Sequence, residues 1–295
     1  MVYYPVKMAK LVEMIDSKVD RCGKTWSDRA KILAQQNIGA GKLAVKKPTW
    51  SDIKAIYARI QGNKCAYCEL DLGGPGNGHV EHYRPKAKVT KWPGSKGPRL
   101  GFATGDAGTT GYYWLAYDPM NYAVSCAQCN SSCKGNAFPI AGSRVIVMAD
   151  VATLNAKELP LLLMPFGEWG DDPAAFIEYE GITARPIPGL VALDTQRAQV
   201  TIEFFRLNTE VSLLLTRRRT IRYMWRHLED LRTASTPADR ASAEHEVNQF
   251  KARSAPQALC ARSFQRLYDA DWNKAEEIYK QARLHLDSVG DPVPV

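Results

Sequence analysis

Apolar and polar positions alternate in three different ways along the chain, giving a helical front, an irregular middle rich in Gly and Pro, and a helical back. In the front, Met8, Leu11, Val12 and Ile15 recur at i, i+3, i+4 and i+7, the stripe of an amphipathic helix, and helical spacing returns in places over 6–37. Gly39, Gly41 and Pro48 break it. Thr49-Trp-Ser-Asp52 reads as a capping box opening a further helix, with Ile53, Ile56, Tyr57 and Ile60 on its packing face. Gly73-Gly-Pro-Gly-Asn-Gly78 is a turn that reverses the chain into a short strand over 79–83. The aromatic run over 112–117 suits a core strand or short packed helix, with base stacking as the sharper alternative. A second strand is predicted over 121–126 and a helix over 127–136.

Over 141–189 short apolar runs alternate with Pro and Gly, and Phe176-Ile-Glu-Tyr-Glu-Gly-Ile-Thr-Ala reads as a hairpin around Glu180-Gly181. After Asp194 the pattern is helical. One helix covers 195–207; Asn208-Thr209 caps the next, which runs to about Leu231 with Val211, Leu214, Leu215, Ile221, Trp225 and Leu228 as its buried stripe. Ser235-Thr-Pro237 is a turn, two more helices follow over 238–251 and 256–286, and the tail Asp291-Pro-Val-Pro-Val is expected to fray. The predicted class is α+β, divided into a helical segment (1–62), a cysteine-bracketed core (63–140), a mixed loop and hairpin segment (141–193) and a helical region (194–295).

Composition changes this picture in two respects. With 295 residues, 45% hydrophobic and 24% charged, the chain has ordinary globular material, and no apolar run approaches the ~18 residues of a membrane span. Seven cysteines, with no apolar leader in Met-Val-Tyr-Tyr-Pro-Val-Lys, fit reduced, metal-bound thiols in a cytoplasm better than a secreted disulfide framework. A net charge of +8 and a pI near 9.1 point to a polyanionic partner. Arg84, Lys86, Lys88, Lys91, Lys96 and Arg99 fall together without an intervening acid, as a phosphate-holding loop or a solvated one. Arg217, Arg218, Arg219, Arg222 and Arg226 share a helix that either lines a nucleic-acid channel, receives an acidic partner or is an exposed basic face. Lys134 either contacts phosphate or is solvated.

The chemistry is concentrated between Cys65 and Pro139. Cys65, Cys68, Cys126 and Cys129 form two Cys-x-x-Cys pairs, and four thiolates suit a closed, structural, tetrahedral Zn2+ site. Cys133 is a spare thiol. Between the pairs lies Glu81-His82, and Asn130 follows the second pair. An imidazole beside a carboxylate, with a carboxamide from a following helix, is what a metal-assisted phosphodiester cut needs: His82 as base for water, and Glu81 and Asn130 as oxygen ligands for Mg2+ or Mn2+. Glu81 and His82 point to opposite faces of an ideal strand, so the strand must bend or end there. His79, two residues before Glu81, is either a third ligand or a supporting residue.

The ordered set Cys65-Ala-Tyr-Cys68-Glu, Val80-Glu-His-Tyr-Arg-Pro-Lys86, Tyr113-Trp-Leu-Ala-Tyr-Asp118, Cys129-Asn130 and Lys134-Gly-Asn136-Ala-Phe-Pro resembles the HNH endonuclease superfamily, and within it the family found in retron and Septu-type anti-phage systems. A weaker likeness continues through Leu161-Leu-Leu-Met-Pro165, Asp171-Asp-Pro173 and Leu207-Asn208. The resemblance implies a ββα-metal core, His82 as general base, Glu81 (where the superfamily commonly has Asp) and Asn130 as metal ligands, and Asn121 as the brace of the loop between base and helix. It also implies an effector nuclease held or triggered by an ABC-type ATPase, cutting DNA or a structured RNA such as tRNA. The alternatives are a zinc-stapled nucleic-acid-binding module without catalysis and a subunit whose C-terminal helices serve assembly.

Overall fold

The computed structural model describes residues 1–45, 47–95, 97–108 and 110–288; Lys96 of the basic loop and the tail 291–295 lie outside the described residues. In chain order the elements are α1 (Met8–Ile15), α2 (Trp26–Ala40), α3 (Lys54–Ile60), β1 (His79–His82), β2 (Tyr122–Ser125), a π-helical turn (Gln128–Lys134), α4 (Val151–Glu158), β3 (Ile177–Glu180), β4 (Thr183–Pro186), α5 (Ala192–Phe204), α6 (Val211–Thr233), α7 (Pro237–Lys251), α8 (Ala258–Ala270) and α9 (Trp272–Ser288). The class is mixed, mostly helical, with two small two-stranded antiparallel sheets, β1-β2 and the hairpin β3-β4. Glu81 pairs with Ala123 and His82 with Tyr122 across the first sheet. None of the described helices is long and apolar enough to cross a membrane.

Several elements differ from the pattern-based expectation for identifiable reasons. The capping box belongs to α2: the Thr25 hydroxyl accepts from Asp28 N, and the Asp28 carboxylate accepts from Thr25 N. Thr49 opens a 3-10 turn without a side-chain cap. On α6 the buried stripe is Leu213, Arg217, Thr220, Ile221, Met224, Trp225 and Leu228, while Val211 is 67% exposed. The long final helix is two, because Asp271 leaves helical geometry and its carboxylate accepts from Lys274 N, capping α9. Within the predicted helix 127–136, Gln128–Lys134 widen into a π-helical turn, closed by Gly135 N donating to Asn130 O. The aromatic run over 112–117 is mostly core: Tyr112, Trp114, Leu115 and Tyr117 are buried around a 3-10 turn, and Tyr113 is half-buried against it. Helix α4, started by Asp150 accepting from Thr153 N, was not foreseen.

The predicted segments share one apolar core. Helices α7, α8 and α9 pack on α6, and α8 also packs on β3. The back of the chain is tied to the first cysteine turn by buried polar groups. Gln257 Nε2 donates to Cys68 O at 2.8 Å, and Arg217, 0% exposed, donates to Gln257 Oε1 at 3.1 Å and lies over the Tyr179 ring. Arg217 is therefore an internal strut and no part of an exposed basic face. Gly62, at φ 67°, is required by the same contact, since a Cβ there would lie 2.4 Å from Ser254 Cα.

Glu69 sits at the centre of this junction. Its carboxylate accepts from Lys64 Nζ at 2.7 Å, from Ala258 N at 2.9 Å and from the Met1 ammonium, all without solvent exposure to speak of. Burial pushes the Glu69 carboxyl up, but the Lys64 and Met1 ammoniums outweigh it and hold it down at about 2. A carboxyl depressed in the folded state stabilises above its unfolded value near ~4.3, and that contribution disappears as pH falls towards 2. Glu69→Gln is expected to cost about 3–5 kcal/mol at pH 7, because it leaves buried ammoniums uncompensated. It is also expected to flatten the loss of stability between pH 5 and about 2, both effects read from urea unfolding across pH.

Candidate functional site

The four cysteines converge from two turns far apart in sequence. Cys65 and Cys68 occupy the turn after α3, held by Cys65 N donating to Leu70 O and Ala66 N donating to Val124 O of β2. Cys126 ends β2 and Cys129 begins the π-helical turn, where Cys129 N donates to Cys126 Sγ at 3.4 Å. All four Sγ atoms lie within 4.8 Å of one another, and Cys68 and Cys126 are 3.8 Å apart. Thiolates on ~2.3 Å bonds at tetrahedral angles have edges of about 3.8 Å, so the donor set fits a zinc ion. Cys133 is half-buried and outside the cluster, and burial pushes its thiol up to about 11.

His82 is the last residue of β1, and the chain bends at Tyr83 and Arg84 immediately after it. That bend resolves the strand-face conflict: Glu81, His82 and Asn130 all border one cavity of ≈ 350 Å³, together with Pro85 and Lys86. The His82 ring is clamped edge-on by Trp50 and Tyr122, each at 4.9 Å between centroids. Its Nε2 lies 3.1 Å from Ala116 O, an atom that can only accept, so Nε2 carries the proton and Nδ1 the lone pair. Lys86 Nζ, cradled on the Trp50 ring, is 3.3 Å from that Nδ1. Burial first, and then the Lys86 ammonium, hold His82 well below the usual imidazole range, leaving it neutral with its lone pair on Nδ1.

Glu81 is 4% exposed and pairs with Lys134 Nζ at 3.3 Å. Burial raises its carboxyl to about 7, against the opposing pull of Lys134 and Lys86. Asn121 accepts from Arg84 N at 2.8 Å and donates to Arg84 O and Leu115 O. It clamps the bend after His82 and does not border the cavity, so its role is positioning. Gly111 is needed for the same loop: a Cβ there would lie 1.8 Å from Ala87 O, and Tyr112 N donates to Pro85 O.

Other candidate residues fall elsewhere. His79 is exposed at the far end of β1, outside the cavity, which leaves it no part in ligation there. Arg84 is 2% exposed; its guanidinium pairs with Glu158, donates to Asn155 Oδ1 at 2.8 Å and lies over Tyr112 and Phe138. Its charge is spent inside the fold, so Arg84 is no phosphate ligand. Lys134 is likewise neither solvated nor at the surface, its ammonium being buried between Glu81 and His82 O. Lys88 and Lys91 are exposed, Lys91 beside Asp106. Arg218 and Arg222 are half-buried on α6, the former near Glu180 and Lys274, the latter near Glu229 and Asp230. Trp50, Ala116 and Glu158 were missed, because ring clamps, carbonyl acceptors and buried counter-charges carry no spacing signal. A second cavity of ≈ 230 Å³ lies behind the bend, lined by Asn121, Asp118, Met164, Trp169 and Arg197, and excludes Glu81, His82 and Asn130.

Two outcomes are expected. The purified protein contains about one zinc per chain by elemental analysis, and Cys129→Ser loses most of it. Arg84→Ala lowers stability by about 3–5 kcal/mol in chemical denaturation, because Glu158 is left buried and unpaired.

No family model matches the chain, and no solved structure matches it. Among curated proteins, the Septu protein PtuB of Bacillus mycoides (strain KBAB4) is 32% identical over 130 residues. The aligned stretch covers 43% of this chain and 38% of that protein, so the similarity represents well under half of either.

Proposed function

We propose that the chain is a metal-dependent HNH-type nuclease that hydrolyses phosphodiester bonds in nucleic acid, DNA foremost and tRNA or other RNA as the second class, within a Septu-like anti-phage defence system that includes an ABC-type ATPase. The observation that carries this reading is the meeting of Glu81, His82 and Asn130 on one cavity, beside a four-cysteine cluster that joins the turn after α3 to the chain following β2. The similarity to the Septu protein supports the defence context, and the net charge of +8 supports a polyanionic substrate.

The residues divide the work as their chemistry allows. Nδ1 of His82, with Nε2–H fixed on Ala116 O, is positioned to take a proton from an attacking water. Trp50 and Tyr122 hold the ring plane, and Asn121 holds the bend that follows it. The Glu81 carboxylate and the Asn130 carboxamide oxygen form an oxygen donor pair suited to Mg2+ or Mn2+, which keeps several waters of its own. When bound, such an ion supplies charge stabilisation for the phosphate oxygens and the leaving 3'-oxygen. Lys88 and Lys91, exposed on the loop after the bend, suit contact with flanking phosphates.

Wild type and His82→Ala, incubated with plasmid, single-stranded DNA and total tRNA in Mg2+ or Mn2+, with and without an ABC-type ATPase of a Septu system, provide the test. Cleavage by wild type that falls roughly 10²–10⁴-fold in the variant is expected. Equal integrity of every substrate in both, with nucleic acid still bound, would instead identify a zinc-stapled binding module.

A further inference from the structure

The Glu81 carboxyl of the cavity lining is already engaged by positive charge. Two ammoniums act on it: Lys134, buried behind the lining and paired with it at 3.3 Å, and Lys86, which lines the cavity itself. A divalent cation entering that space meets the Lys86 ammonium and a carboxyl already paired with Lys134, and Coulomb repulsion at a few ångströms is large in a partly buried site. The two lysines are not equivalent. Lys134 is locked, its side chain 0% exposed and also donating to His82 O. Lys86 is half-buried; its backbone is pinned, since Tyr112 N donates to Pro85 O and Gly111 abuts Ala87 O, while its ammonium rests on the Trp50 face at 4.8 Å and against His82 Nδ1 at 3.3 Å, with no ion pair among the described residues. That second contact occupies the one lone pair of the ring, so in this arrangement His82 has no free site at which to accept a proton.

We propose that Lys86 is the displaceable counter-cation of the cavity: its ammonium blocks Nδ1 of His82 and keeps a divalent cation out until an incoming phosphodiester draws that ammonium onto a phosphate oxygen. The anion then does three things at once. It neutralises the lining, frees the lone pair of His82 and fixes Lys86 on the substrate, where the ammonium is a point-charge phosphate contact. Cation and diester thus bind together, and the empty site stays idle. This rests on the nuclease reading above and adds to it the order of assembly and the role of Lys86.

The test measures Mn2+ binding to the zinc-loaded protein by electron paramagnetic resonance, without a diester and with dimethyl phosphate as the smallest phosphodiester probe, for wild type and Lys86→Met. Wild type is expected to bind Mn2+ weakly alone and at least threefold more tightly with saturating dimethyl phosphate. Lys86→Met is expected to bind Mn2+ roughly tenfold more tightly than wild type without the probe, since one like charge is gone, and to gain less from it. Met retains the apolar stem against Trp50, circular dichroism and zinc content report whether the variant is folded, and the wild-type comparison needs no variant. Mn2+ uptake by wild type that is indifferent to dimethyl phosphate and unchanged in Lys86→Met overturns this proposal and leaves the nuclease reading standing. Absence of Mn2+ uptake in all four measurements overturns both.

Discussion

The convergence of four cysteine sulfurs is the constraint on which the rest of the structure depends. The ribbon β1-β2 has only four residues in each strand, and a two-stranded sheet of that size has little stability of its own. The sulfurs after β2 and in the turn after α3 meet beside the ribbon and the π-helical turn, and that turn brings Asn130 to the cavity that Glu81 and His82 border. The same cysteine turn is gripped from behind by Gln257 and by Glu69, so the C-terminal helices support it.

Around that junction the fold places charge inside, always in pairs or triads. Glu69 with Lys64, Arg84 with Glu158 and Glu81 with Lys134 are all nearly inaccessible to solvent. Such pairs contribute little net stability compared with apolar packing, but removing either member is costly, so they restrict which arrangement the chain can adopt. Two of them flank the bend after His82: Arg84 anchors it from one side and Lys134 from the other. That rigidity fixes the position of the imidazole between them.

The cavity itself combines a neutral, hydrogen-bonded imidazole with one ammonium, Lys86, in its lining and another, Lys134, buried behind Glu81. The low dielectric keeps His82 uncharged and magnifies the influence of both ammoniums on whatever enters. A site of this kind is suited to anions first and to cations only in their company, which accords with a chain of net charge +8 whose partner is expected to be a polyanion.

The four-cysteine cluster was legible in the linear chain because it depends on residue type at short spacing. Glu81, His82 and Asn130 also stand close enough to local turns for their meeting on one cavity to be expected, and the hairpin around Gly181 and most C-terminal helices follow from periodicity alone. Tertiary structure decided everything that depends on a distant counter-charge or ring. Whether Arg84, Lys134 and Arg217 face solvent or the interior was set by Glu158, Glu81 and Gln257, partners from separate segments whose choice no periodicity encodes. The tautomer of His82 was set by one carbonyl of a 3-10 turn, and the resting place of Lys86 by a tryptophan before α3. Charge is a property of a residue, but what that charge does is a property of its neighbours, and these are brought together only by the fold.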